Sequence, residues 1–173
     1  ATSPPVTIAN NTIGSITVSS TTTGLAASIT GIQVSAGTNP VISNNLIGSA
    51  TTANSLHASN TVSSGGIAQE LTGIECANGT GASTATITGN IVANLNNRAA
   101  QPQAHIRGIV AFSGSSTVQG NTVRNLTPPS RNTGLSVVGI SQAGTGSLTM
   151  TENVVHSLAN TSNAGGFPAP NVA

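Results

Sequence analysis

Apolar and polar positions alternate in short runs along this chain, and the runs recur. Five cores share one pattern: an apolar residue, Asn three positions later, and a second apolar residue two positions beyond. They are Ile8-Ala-Asn-Asn11-Thr-Ile13, Ile42-Ser-Asn-Asn45-Leu-Ile47, Ile87-Thr-Gly-Asn90-Ile-Val92, Val118-Gln-Gly-Asn121-Thr-Val123 and Met150-Thr-Glu-Asn153-Val-Val155. Successive asparagines are 34, 45, 31 and 32 residues apart. A motif that returns every 20 to 50 residues or so signals stacked repeats.

A second marker alternates with the first: Ile29-Thr-Gly31-Ile32, Leu71-Thr-Gly73-Ile74, Ile106-Arg-Gly108-Ile109 and Val137-Val-Gly139-Ile140. From Gly to the next Asn is 14, 17, 13 and 14 residues; from Asn to the next Gly is 20, 28, 18 and 18. One side of the repeat is nearly constant and the other carries the length variation. Thr, Val, Ile, Gly and Asn are weak helix formers, and the apolar spacing lacks a sustained helical period. Short β segments at this period predict an all-β chain, a parallel β-helix of about five coils with variable loops on one side. The coils fall near 4–38, 39–82, 83–114, 115–146 and 147–173, the last incomplete, in a single domain.

Columns follow from the stacking. Ile8, Ile42, Ile87, Val118 and Met150 form one; Ile13, Ile47, Val92, Val123 and Val155 a second; Ile32, Ile74, Ile109 and Ile140 a third. Leu95, Leu126 and Leu158 extend the pattern, with Ile16 in the first coil. Asn11, Asn45, Asn90, Asn121 and Asn153 are expected at a bend between strands. Asn tolerates left-handed backbone, and its amide can donate and accept along a stack. Gly31, Gly73, Gly108 and Gly139 are expected either at a positive-φ corner or where another layer's backbone approaches closely.

The unit Gly-Ile, about a dozen residues, then Ile-x-Gly/Asn-Asn-x-Ile/Val-x-Asn/Ser-Leu resembles the repeats of secreted bacterial right-handed β-helix proteins of the pectate-lyase-like superfamily. Gly108 to Leu126 and Gly139 to Leu158 carry it best, and it covers nearly the whole chain. The resemblance implies the right-handed coil. It is specific for architecture rather than activity, because that superfamily spans lyases, adhesins, phage spikes and structural surface proteins.

Composition narrows the functions. Only 4% of residues are charged, with no Lys and no Asp, and the net charge is +1. Such a chain has no field to steer nucleic acid or an acidic membrane. Trp and Tyr are absent, so there is no stacking platform for bases. No stretch approaches the roughly 20 apolar residues of a membrane span. No secretory leader opens the chain, which suggests that one was removed or that this is a segment of something longer. The β-branched residues fall in register, which argues against disorder despite the Gly, Ser, Thr and Asn content. Cys76 has no partner for an intrachain disulfide and is expected on the inward face beside Ile74.

Catalytic chemistry is sparse. Glycoside hydrolysis needs two positioned carboxylates. This chain has Glu70 in the long second loop, Glu75 after a Gly-Ile piece and Glu152 in the last Asn motif. His57, in that same loop, His105 and His156 show no metal-ligand spacing, and a Ca²⁺ β-roll needs Asp. No enzyme, cofactor or metal is therefore expected. Asn10, Asn78, Asn125 and Asn160 head Asn-x-Ser/Thr sequons, and the stretches Ser19–Thr23 and Thr51–Ser55 could carry O-linked sugar.

The leading expectation is a structural extracellular or cell-surface module stacked end to end, on copies of itself or on adjoining repeats. The first motif starts almost at once and the last coil lacks its Gly-Ile piece. The rival is an adhesin or carbohydrate-binding segment that meets a surface glycan through its longest loop, Gly48 to Leu71. A polysaccharide-active enzyme is a distant third. An ice-binding solenoid, a weaker version of the binding module, needs a flat array of regularly spaced Thr, and Thr12 and Thr122 are not continued by Leu46, Ile91 and Val154.

Overall fold

A computed structural model describes residues 5–35, 39–61, 68–76, 84–99, 104–112, 114–127, 137–143 and 145–159. Among these the chain is all-β, without helices, in three parallel sheets, none of them closed. Sheet A takes β1 (Thr7–Ala9), β5 (Val41–Ser43), β9 (Thr84–Thr88), β12 (Ser115–Gln119) and β15 (Leu148–Thr151), in that order. Sheet B takes β2 (Thr12–Ile13), β6 (Leu46–Gly48), β10 (Ile91–Ala99), β13 (Thr122–Thr127) and β16 (Val154–Leu158), with β3 (Ile16–Ser20) and β7 (Leu56–Asn60) beside them. Sheet C takes β4 (Ile29–Val34), β8 (Gln69–Cys76), β11 (Ala104–Phe112) and β14 (Val137–Ala143). Each of the first four repeats visits A, then B, then C, the described part of the fifth visits A and B, and each strand pairs with its counterpart one repeat away. This arrangement is compatible with a β-helix or solenoid.

The register aligns like with like. Ile8 lies opposite Ile42, Ile42 opposite Ile87, Ile87 opposite Val118 and Val118 opposite Met150. Ile47, Val92, Val123 and Val155 are aligned in sheet B, as are Ile32, Ile74, Ile109 and Ile140 in sheet C. These columns meet in one apolar core in which Ile42, Ile47, Ile74, Ile87, Val92, Ile109, Val118 and Val123 are fully buried. Fully burying such a side chain contributes about 1.5–3 kcal/mol. A stack of β-branched residues does this without a separate helical layer.

The segment Gly48 to Leu71, expected to be a loop, contains a strand. β7 pairs with β10 and β3, and Leu56 stands between Ile16 and Leu95 in the leucine column, fully buried. The insertion interrupts the sheet B strand of the second repeat and does not displace it. His57 lies on this strand opposite Thr17 and Asn96, and Glu70 lies on β8; neither is in a loop.

The Gly-Ile glycines have no positive φ. A Cβ on Gly31 would come within 2.6 Å of Ile47 Cγ2 and 2.7 Å of the Gly73 carbonyl oxygen. A Cβ on Gly108 would strike Val123 and the Gly139 carbonyl. Close approach of neighbouring backbone and of the sheet B side chains therefore explains this column. Inward residues Leu71, Ile74 and Cys76 are three and then two apart, so strict alternation breaks at the glycine.

Candidate functional site

The most ordered polar feature is the asparagine column. It lies at the bend between sheets A and B, and its members Asn45, Asn90 and Asn121 are buried. The backbone N–H and Nδ2 of Asn11 both donate to Oδ1 of Asn45, at 3.0 and 2.9 Å. Asn45 does the same to Asn90 at 2.9 and 2.9 Å, Asn90 to Asn121 at 2.9 and 3.0 Å, and Asn121 to Asn153 at 3.0 and 3.0 Å. Each Nδ2 also donates backward, from Asn45 to the Ile8 carbonyl, Asn90 to Ile42, Asn121 to Ile87 and Asn153 to Val118, at 2.8–2.9 Å. One side chain thus links three repeats. Only an amide fits: it supplies two donors and a two-fold acceptor, whereas stacked carboxylates would repel.

The left-handed backbone falls one residue before the ladder asparagine, not on it. Asn10, Asn44, Gly89, Gly120 and Glu152 have φ of 58, 54, 63, 62 and 58°. Asn and Gly adopt this conformation most readily. Glu152, the exception, accepts a hydrogen bond from Gln119 Nε2 at 3.0 Å.

Two further polar clusters lie off the ladder, the first at the Asn/Ser position of the repeat unit. Asn94 and Asn125, with φ of 60 and 55°, kink sheet B before the leucine column, and Asn125 Nδ2 donates to Asn94 Oδ1 at 3.0 Å. At the B-to-C corner, buried Gln69 donates through Nε2 to Asn97 Oδ1 at 2.6 Å. Asn97 Nδ2 answers to the carbonyls of Gln69 and His105 at 3.0 and 2.7 Å. A third feature is a rank of outward residues on sheet A: Thr7, Val41, Thr86, Thr117 and Thr149 stand in register. Beside it run Ala9, Ser43, Thr88, Gln119 and Thr151. The hydroxyl rank precedes the asparagines, not follows them.

Among the described residues the carboxylates do not converge, although Glu70 lies opposite His105 on β11. Glu70 pairs with Arg107 at 3.3 Å on the surface of sheet C, and Glu75 accepts from Gln33 Nε2 at 3.3 Å. Glu70 and Glu75 share β8 but are roughly 16 Å apart along it, and Glu152 lies at a bend of the last repeat. Among the described residues no three His, Cys, Asp or Glu side chains come together as metal ligands. His57 Nδ1 is buried without a hydrogen-bond partner, and His156 Nδ1 lies 2.9 Å from Ser157 Oγ. Cys76 is buried between Val34 and Ala111, and burial pushes its thiol up to about 11. Of the sequon asparagines, Asn10 is exposed and Asn125 holds Asn94; Asn78 and Asn160 lie outside the described residues.

The other candidate surfaces are the two stack edges. Met150 is 52% and Val155 42% exposed, whereas Val118 and Val123, one repeat earlier, are fully buried. At the opposite edge Ile16 is 40% exposed in the column where Leu56 is fully buried. No protein-family model, curated protein or solved structure matches this chain.

Proposed function

We propose that the chain is a structural β-solenoid module, a right-handed parallel β-helix that stacks end to end in a fibre or surface appendage. The observation that supports it best is the contrast along single columns: the residues that fill the core in the middle repeats emerge at Met150, Val155 and Ile16 on the outermost strands. These strands also lack the charged residues that usually keep sheet edges apart. Re-burying two or three such side chains at a junction would contribute several kcal/mol, at about 1.5–3 kcal/mol each. In this reading the module works outside the cell or on its surface, as the family resemblance implies, without catalytic residues, cofactor or metal. Asn10 is its accessible sequon. Sedimentation velocity over a concentration series is the test. Growing linear species are expected, and a single species of monomer mass throughout would reject the reading.

One observation favours a second reading, a carbohydrate-binding segment. The threonine rank of sheet A, unbroken over Thr86, Thr117 and Thr149 and interrupted by Val41 before Thr7, offers aligned hydroxyls about 4.8 Å apart from strand to strand, a spacing suited to an ordered polysaccharide. Co-sedimentation with insoluble polysaccharides, lost in Thr86→Lys and Thr117→Lys variants, would support it. Equal binding by the variants would reject it.

A further inference from the structure

We infer that the two stack edges are the two halves of one junction between copies of this chain, and that the asparagine ladder makes this junction head to tail. The inference rests on the end-to-end reading above and adds its polarity and register.

Every link of the ladder has the same direction. The N–H and Nδ2 of the earlier asparagine donate, and Oδ1 of the later one accepts. The column therefore has an acceptor end at Asn11 Oδ1 and a donor end at Asn153. Among the described residues, no repeat stands beyond either. Two copies meeting by their first repeats would set oxygen against oxygen, and two meeting by their last repeats N–H against N–H. Only first repeat on last repeat joins Asn153 N–H and Nδ2 to Asn11 Oδ1 of the next copy.

The backbone carries the same instruction. The N–H groups of Asn10, Asn44, Gly89 and Gly120 donate to the carbonyls of Ser43, Thr88, Gln119 and Thr151, one repeat later, at 3.0–3.1 Å. Glu152 N–H is next in that row, and the Ala9 carbonyl of the next copy is its match. In the other direction, the N–H groups of Leu46, Ile91, Thr122 and Val154 donate at 2.8 Å to the carbonyls of Asn11, Asn45, Asn90 and Asn121. The Asn153 carbonyl continues that row, and Thr12 N–H of the next copy answers it.

The register follows. Thr149, Met150 and Thr151 face Thr7, Ile8 and Ala9 of the next copy; Val155 faces Ile13 and Leu158 faces Ile16. Each contact extends a column already present. Sheets A and B carry the junction. Among the described residues sheet C has its last strand at β14, one repeat earlier, and a hollow of about 360 Å³ is lined by Ile140, Met150, Asn153 and Val155.

The test uses Thr7→Cys and Thr149→Cys, both exposed and outward, each in a full-length Cys76→Ala background. Across the junction their Cα atoms would stand about 4.8 Å apart. A short thiol crosslinker should join the two variants to each other in a mixture and leave either alone unlinked. Links within one variant alone, 7 to 7 or 149 to 149, would overturn the polarity while leaving end-to-end assembly standing. A chain that stays monomeric at all concentrations would overturn both and assign the edges to a different partner. Asn11→Leu, which removes the exposed acceptor, should weaken assembly about tenfold or more with little change in monomer unfolding. Undiminished assembly would remove the ladder from the junction.

Discussion

The amide of Asn90 and its own backbone N–H converge on one oxygen, Oδ1 of Asn121, from 3.0 and 2.9 Å. Both residues are fully buried, so neither group can fall back on water. Leu at position 90 would leave the N–H and one amide hydrogen of Asn45 without their acceptor and take a donor from the carbonyl of Ile42. Each buried orphan costs about 1–3 kcal/mol. Asn90→Leu and Asn121→Leu should each lose at least about 3 kcal/mol in chemical denaturation, and a loss below about 1 kcal/mol would contradict a ladder that holds the repeats together.

Two glycines separate crowding from backbone strain. Gly108→Ala forces a methyl group against Val123 and the Gly139 carbonyl and should cost about 3 kcal/mol. Gly120 has open space around it but φ of 62°, so Gly120→Ala should cost only about 1 kcal/mol. Asn10, Asn44 and Glu152 already occupy that row without glycine. Thermal unfolding of the pair should place Gly108→Ala clearly below Gly120→Ala; the reverse order would mean the sheets can separate to admit a side chain.

Leu56 tests the strand inside the insertion. Leu56→Ala should cost about 2–5 kcal/mol, as a fully buried leucine does. A cost within about 0.5 kcal/mol, the range of surface substitutions, would return this segment to a loop.

Cys76 gives the pH dependence. Burial raises its folded value from 9.0 to about 11. Between those values the unfolded chain has lost the thiol proton and the folded chain keeps it, so stability falls as pH rises through the window. Cys76→Ala should flatten the curve between pH 9 and 11, with little other cost because Ala111 holds the same column position one repeat on. Thiol reagents should label native Cys76 slowly and unfolded Cys76 at once. Rapid labelling of the native chain would show the site open.

The repeat, the parallel all-β character and the main columns are legible in the sequence because stacking puts chemically alike residues at one offset. Asn11, Asn45, Asn90, Asn121 and Asn153 announce themselves that way. Leu56 does not, since the insertion moves it off the offset of Leu95 and Leu126. Gln69 and Asn97 meet at a corner without equivalents in every repeat, so no column points to them. The threonine rank lies before each asparagine, where alternation assigns an outward face but no function. The two explanations of Gly31, Gly73, Gly108 and Gly139 could be separated only by the backbone angles and the approach of Ile47, Val92, Val123 and Val155, which are three-dimensional facts.

End-to-end stacking is tested most directly by cryo-electron microscopy of the full chain at high concentration. Filaments are expected in which the 4.8 Å strand spacing runs unbroken through each junction and one subunit advances the axis by about 24 Å, five layers at about 4.8 Å. Dispersed particles of single-chain size, or filaments with subunits related by a two-fold axis, would contradict it.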